Sequence, residues 1–95
     1  MKVQLTSHAV ERFWERFSID IADNTVINMP KNILVNRSKH YETGKSVEER
    51  VFMVKGKPAL AVVDTDNATM VTVYSEGPYF NKRIKQAQAI MRKAA

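Results

Sequence analysis

Three apolar runs separated by two turn sequences fill most of the second half of the chain. The runs are Glu49–Lys55, Ala59–Asp64 and Thr69–Tyr74, and Gly56-Lys57-Pro58 and Thr65-Asp66-Asn67 separate them. β-branched and aromatic residues bounded by such breakers are typical of strands, and short breaks join neighbouring strands in antiparallel order. The pattern therefore predicts a three-stranded antiparallel meander, which every other element must pack against.

The N-terminal segment 6–17 has the periodicity of an amphipathic helix. Thr6 is the predicted N-cap, with a hydrophobic staple between Leu5 and Val10. Apolar side chains recur at helical spacing and predict a core-facing stripe. That stripe comprises Ala9, Val10, Phe13, Trp14 and Phe17.

Three further segments complete the predicted order. Residues 20–28 are predicted to form a short helix that Asp20 caps and Pro30 ends. Residues 31–37 fit either a helical turn or a strand. Asn81–Lys93 is predicted to form a basic C-terminal helix. The predicted fold class is α+β, with N-terminal helices packed on one face of an antiparallel sheet of three or four strands.

Length and composition bound the possible functions. A chain of 95 residues is predicted to form one domain, with an α+β core over 1–78 and the basic helix over 79–95. There is no cysteine, and only two histidines and three glycines occur. No phosphate loop, dinucleotide fingerprint or zinc motif is present, so no cofactor or metal is expected. The sequence has no apolar run of signal-peptide or membrane-span length, which predicts a cytoplasmic protein with no membrane partner.

The net charge of +5 is confined to the end of the chain. Residues 1–76 contain ten basic and ten acidic residues, whereas residues 77–95 contain no acid. The five basic residues of the end segment are Lys82, Arg83, Lys85, Arg92 and Lys93. Such a segment attracts phosphate backbones or acidic protein surfaces, and it also fits a solvated terminal helix.

One constellation has the residue types for acid–base chemistry on a phosphate. His8, Arg12 and Arg16 follow at i, i+4 and i+8 and share one face of the first helix. A histidine exchanges protons near neutral pH, and two arginines can hold a phosphate. Thr72 or Tyr74 could orient the same phosphate. An ordinary solvated helix face, with Arg16 paired to an acid, remains the alternative.

Aromatic residues outside the core stripe offer further contacts. Of Tyr79 and Phe80, which follow Pro78, one ring is predicted to be exposed for stacking or for a partner. His40 and Tyr41 lie in a polar stretch that is either a solvated loop or part of a site.

Residues 6–16 resemble the opening helix of a family of small bacterial and phage proteins, which has the pattern T-x-H-A-x-x-R-x-x-E-R. The strand Met70–Tyr74 resembles the closing V-x-T-V-Y-like strand of the same family. That family is grouped with the barnase–EndoU–colicin–RelE type of ribonuclease toxin fold. The resemblance departs at Phe17, where the family has a glycine, and over residues 20–47.

The resemblance implies a metal-independent endoribonuclease-like toxin domain, with RNA as its partner. His8 would be the general acid or base, Arg12 and Arg16 the phosphate clamp, and Thr72 or Tyr74 an auxiliary group. The alternative is a non-enzymatic, phage-encoded inhibitor that binds a host protein or a nucleic-acid complex through the basic C-terminal helix. A host or antitoxin protein partner fits either function, and a non-catalytic nucleic-acid binder is a third hypothesis.

Overall fold

The computed structural model describes residues 1–39 and 44–94. Over these residues the protein is α+β, with two helices and a mixed sheet of six strands in the order β2-β1-β6-β5-β4-β3. The elements in chain order are β1 (Lys2–Leu5), α1 (Ser7–Phe17), β2 (Val26–Asn28), β3 (Ile33–Lys39), β4 (Ser46–Val54), β5 (Lys57–Asp64), β6 (Thr69–Tyr74) and α2 (Pro78–Ala94). No helix in the described part is long and apolar enough to cross a membrane.

The predicted meander is confirmed, and it is longer than predicted. β4, β5 and β6 pair antiparallel in sequence order. The β4–β5 turn is only Lys55 and Gly56, both with positive φ of 50° and 76°. Two consecutive positive φ angles match the twist of a two-residue hairpin turn. Pro58 therefore lies inside β5, opposite Met53, rather than in the break.

The predicted helix over residues 20–28 is wrong. Val26–Asn28 forms β2, which pairs antiparallel with β1, and Val3 lies opposite Ile27. β1 in turn pairs in parallel with the start of β6, at Gln4 and Leu5. Residues 33–39 are the edge strand β3, which resolves the ambiguous segment as a strand. The sheet therefore has six strands in the described residues instead of three or four.

The helices cover opposite faces of the sheet, whereas one shared face was predicted. Consecutive residues of a strand point to opposite faces. In β5, Ala61 packs in the larger core cluster with α1, and Leu60 packs in the second cluster with Phe80 and Ala87 of α2. Both sheet faces therefore carry a core, which explains the nearly continuous burial of β5.

Helix α1 begins at the predicted cap and buries a narrower stripe than predicted. The Thr6 hydroxyl accepts a hydrogen bond from the Ala9 N–H at 3.1 Å. Ala9, Phe13 and Phe17 are buried, but Trp14 is 60% exposed, so its predicted place in the core is wrong. The helix packs mainly on β6, the third strand in the sheet order. Its i, i+4, i+8 stripe is buried, and Val10 packs half-buried against the same core cluster.

Candidate functional site

The predicted catalytic residues of α1 lie beside its buried stripe. They are His8, Arg12 and Arg16. His8 is exposed and makes no hydrogen bond or ion pair with any residue that the structure describes. Arg12 donates to the Glu15 carboxylate at 2.5 Å, within the same helix. His8 and Arg16 are two helical turns apart, about 12 Å along the axis. The His8 imidazole and the Arg16 guanidinium therefore lie at separate points on the helix surface.

Arg16 reaches around the sheet to the outer edge of β6. β1 pairs only with Thr69 and Met70, so the rest of that edge has no strand partner in the described chain. The Arg16 Nη1 donates to the Val73 carbonyl oxygen, and the guanidinium carbon lies 5.1 Å from the centre of the Tyr74 ring. Because an unpaired carbonyl at a sheet edge needs a donor, Arg16 acts as an edge cap as well as a surface cation.

The structure thus brings together two of the five predicted catalytic residues. Arg16 and Tyr74 are in contact, and His8 and Arg12 lie farther along α1. Thr72 is half-buried and lies opposite Val62, on the sheet face that α2 packs against. These five groups lie on both sides of the β6 edge, so a single phosphate could contact all of them only across that edge. Among the described residues, no cluster of three His, Asp or Glu side chains could hold a metal ion.

A buried carboxylate anchors the start of α2. Glu49 of β4 is 6% exposed and accepts a hydrogen bond from the Tyr79 hydroxyl at 2.5 Å. It also accepts from the Asn36 amide at 2.7 Å, and the Arg83 Nε lies 3.2 Å from the same carboxylate. Three donors satisfy this charge, as a buried carboxylate requires.

The surroundings of this anchor raise the pKa of both Tyr79 and Arg83. Burial of the Tyr79 hydroxyl, and then its hydrogen bond to Glu49, raise the pKa of Tyr79 above the usual 10.0. The hydrogen bond to the Tyr79 oxygen is the main cause that raises the pKa of the Arg83 guanidinium. At neutral pH the phenol therefore stays protonated and Arg83 stays charged.

A series of contacts between aromatic rings and guanidinium groups connects this anchor to α1. The Arg83 guanidinium lies 5.0 Å from the Tyr79 ring centre, and Tyr79 meets Tyr74 edge-on at 6.4 Å. Tyr74 in turn contacts Arg16. Tyr79 keeps 46% exposure and Phe80 is buried, which confirms that one ring of this pair is exposed. The exposed ring lies at the start of the basic helix.

The other predicted nucleic-acid contacts lie on the outer face of α2. Their side chains are exposed and make no hydrogen bond or ion pair within the described chain. These residues are Lys82, Lys85, Arg92 and Lys93. At 100° per residue they fall within an arc of about 100°, opposite the buried residues Phe80 and Ala87. We call these four residues the cationic stripe.

Arg83 differs from its four basic neighbours because its side chain is only 13% exposed and points to Glu49. Sequence reasoning treated it as one of five equivalent cations and missed Glu49 altogether. A signal was present, since Glu48, Glu49 and Arg50 interrupt an apolar strand. Charges inside a strand with two covered faces require partners from the elements packed against it.

Comparisons with protein-family models, with curated proteins and with solved structures find no match to this chain. The toxin-family resemblance consequently stays a prediction from the sequence. His40 and Tyr41 lie outside the described residues.

Proposed function

We propose that this protein binds nucleic acid through the phosphate backbone, using the cationic stripe of α2. The observation that carries the proposal is the placement of the charge. Residues 77–95 contain no acid, and the cations that are not bound to Glu49 all lie on one helix face. Cations gain most from phosphate when no carboxylate of their own competes for them.

The inner face of α2 holds the first half of this surface against the sheet. Phe80 and Ala87 are buried against the sheet, and Ile84 packs on the same cluster. The Glu49–Arg83 ion pair adds a polar contact between the sheet and the start of the helix. The stripe extends about 16 Å from Lys82 to Lys93, which spans several phosphates of an extended strand.

Tyr79 extends the stripe with a surface suited to bases. Its ring is 46% exposed and lies one turn before Lys82 on the same helix. Aromatic rings beside a cationic track stack bases with little sequence preference. The expected ligand is therefore single-stranded nucleic acid of broad sequence range.

The test is a matched pair of charge variants. Replacing all four stripe residues by glutamine is expected to lower the affinity for a fluorescent oligoribonucleotide roughly 100-fold at low salt. The slope of log affinity against log salt is expected to flatten by about three units. Fluorescence anisotropy at several salt concentrations measures both quantities, with single-stranded and duplex DNA as further arms.

The control keeps the same net charge but moves the substitutions. Lys2, Lys31, Lys39 and Lys57 are exposed and lie outside α2. Changing these four to glutamine is expected to alter the affinity less than about threefold. Equal losses in both quadruple variants would show a general charge effect and contradict the proposal. A flat salt response of the native protein would contradict it as well.

RNA cleavage at α1 is a second candidate, which the contact between Arg16 and Tyr74 favours. In this reaction the RNA 2′-oxygen attacks the adjacent phosphorus, and the bond to the 5′-oxygen of the next nucleotide breaks. His8 would accept or return the proton, and Arg12 and Arg16 would offset charge on the phosphate oxygens. Thr72 or Tyr74 would orient the phosphate. The products are a 2′,3′-cyclic phosphate and a 5′-hydroxyl, which receives the proton that leaves the 2′-hydroxyl.

His8→Ala tests this candidate. The variant is expected to lower the cleavage rate at least about 100-fold, because a general acid or base contributes on that order. Product ends are read by mass spectrometry of RNA incubated with the purified protein in chelator. Glu11→Ala, at an exposed site on the same helix, is the control and is expected to retain the rate. Cleavage that persists in His8→Ala, or that is absent from the native protein, would contradict this candidate.

A further inference from the structure

An apolar groove lies between the C-terminal half of α2 and the face of β3, β4 and β5 beneath it. It encloses about 490 Å³. The apolar residues that line it include Ile33, Val51, Met53, Pro58, Ile84 and Met91. Cavities of this size hold a small ligand or a few side chains of a bound peptide.

The groove exists because α2 stays on the sheet for only part of its length. Ala87 is its last buried residue, and the described positions after it are all exposed. Met91 is 58% exposed, and Met53 on the sheet side is 60% exposed. Two methionines that face one cavity from opposite sides form an adaptable apolar surface. Because both methionines are exposed, a partner that covers them would gain free energy by removing their apolar surface from water.

The sheet-side lip of the groove carries positive charge, and two cations of the outer face of α2 lie next to its helix-side lip. Lys31 lines it on the sheet side, and Gln88 lines it on the helix side. Lys85 precedes Gln88 by three residues and Arg92 follows it by four, so both are its neighbours on the helix surface. Among the residues that the structure describes, no Asp or Glu lines the groove. The occupant should therefore combine apolar groups with negative charge.

We propose that the groove binds an acidic amphipathic segment of a partner protein. Apolar side chains of that segment would enter between Met53 and Met91, and its carboxylates would face Lys31, Lys85 and Arg92. A second copy of the chain fits less well, because it would bring two positively charged lips together. The proposal goes beyond nucleic-acid binding. The two surfaces share Lys85 and Arg92, whereas Lys31 and both methionines lie outside the cationic stripe, and the substitutions that test the groove are confined to these three residues.

The test uses a synthetic peptide with the unsubstituted 95-residue chain. The probe is a fluorescein-labelled amphipathic peptide of about 15 residues, with Leu at i, i+3, i+4 and i+7 and Glu elsewhere. One control peptide has Lys in place of Glu, and the other has Ser in place of Leu. Anisotropy titration is expected to show binding of the Glu/Leu peptide and at least about tenfold weaker binding of both controls.

Matched variants locate the binding. Met53→Ser with Met91→Ser is expected to weaken the Glu/Leu peptide at least about tenfold, and Lys31→Glu about fivefold. The control is Val26→Ser with Ile90→Ser, which removes two apolar side chains that are 59% and 42% exposed outside the groove. This control is expected to change the affinity less than about twofold. Because all four positions are exposed, circular dichroism melts should remain close to those of the native protein.

Three results would overturn the proposal. The first is equal binding of the Lys/Leu peptide, which would show apolar contact without charge recognition. The second is a dimer in sedimentation that the methionine variants dissociate, which would assign the groove to a second copy. The third is binding of dodecanoate without binding of the peptide, which would assign it to a small amphiphile. None of these results depends on the nucleic-acid titrations, so the two proposals fail separately.

Discussion

Replacing Phe13 with alanine is expected to lower the free energy of unfolding by about 3–5 kcal/mol. Phe13 is 2% exposed and lies at the centre of the buried stripe of α1. Its ring packs against that of Phe17 at 5.8 Å, within the larger core cluster. Removing the ring leaves a cavity between α1 and the sheet that neighbouring side chains fill only in part. Urea unfolding followed by circular dichroism measures the loss.

The adjacent aromatic residue is the control. Trp14→Ala removes a larger side chain, but Trp14 is 60% exposed. Its cost is expected to be less than about 1 kcal/mol, because surface substitutions away from the core have small effects. Comparable losses at Phe13 and Trp14 would mean that α1 buries the wider stripe expected from the sequence, and would contradict the observed orientation of the helix.

Replacing Glu49 with alanine is expected to cost about 3 kcal/mol. The substitution leaves the Tyr79 hydroxyl, the Asn36 amide and the Arg83 guanidinium without their shared acceptor. The Arg83 side chain is 13% exposed, so solvent compensates its charge only partly. Breaking a buried pair is costly because one charge stays buried without its partner. Urea unfolding in low and high salt measures the loss.

An exposed ion pair provides the comparison. Glu15→Ala breaks the Arg12–Glu15 pair, in which the glutamate side chain is 53% exposed. Its cost is expected to be below about 1 kcal/mol and to fall further in high salt. The cost of Glu49→Ala should persist in salt, because a buried pair is screened less. If Glu49→Ala costs no more than Glu15→Ala, the anchor does not hold α2 on the sheet.

The elements that were predicted correctly are those with local signals. The meander follows from breakers between apolar runs, and α1 follows from a cap and a period of 3.6. β1 and β2 were missed because their pairing joins Lys2 to Asn28 across α1. A strand of three or four residues has little pattern of its own, and its hydrogen bonds come from a distant segment.

The candidate sites follow the same division. The sequence placed Lys82, Lys85 and the two later cations in one acid-free segment, and the structure shows that they share one face of α2. Helical spacing placed His8 and Arg16 on one face of α1, but it could not show that Arg16 caps the edge of β6. Glu49 lay unnoticed in a strand, since its three donors come from α2 and β3.

The sequence by itself determined where the net charge lies and which residues follow a helical period, because composition and periodicity are properties of the chain alone. Only the tertiary structure decided that α1 and α2 cover opposite faces, since the side of a sheet that a helix takes depends on how its connections pack. The tertiary structure also separated Arg83 from Lys82. One cation is held by a buried carboxylate and the other faces solvent, although the two are adjacent in the chain.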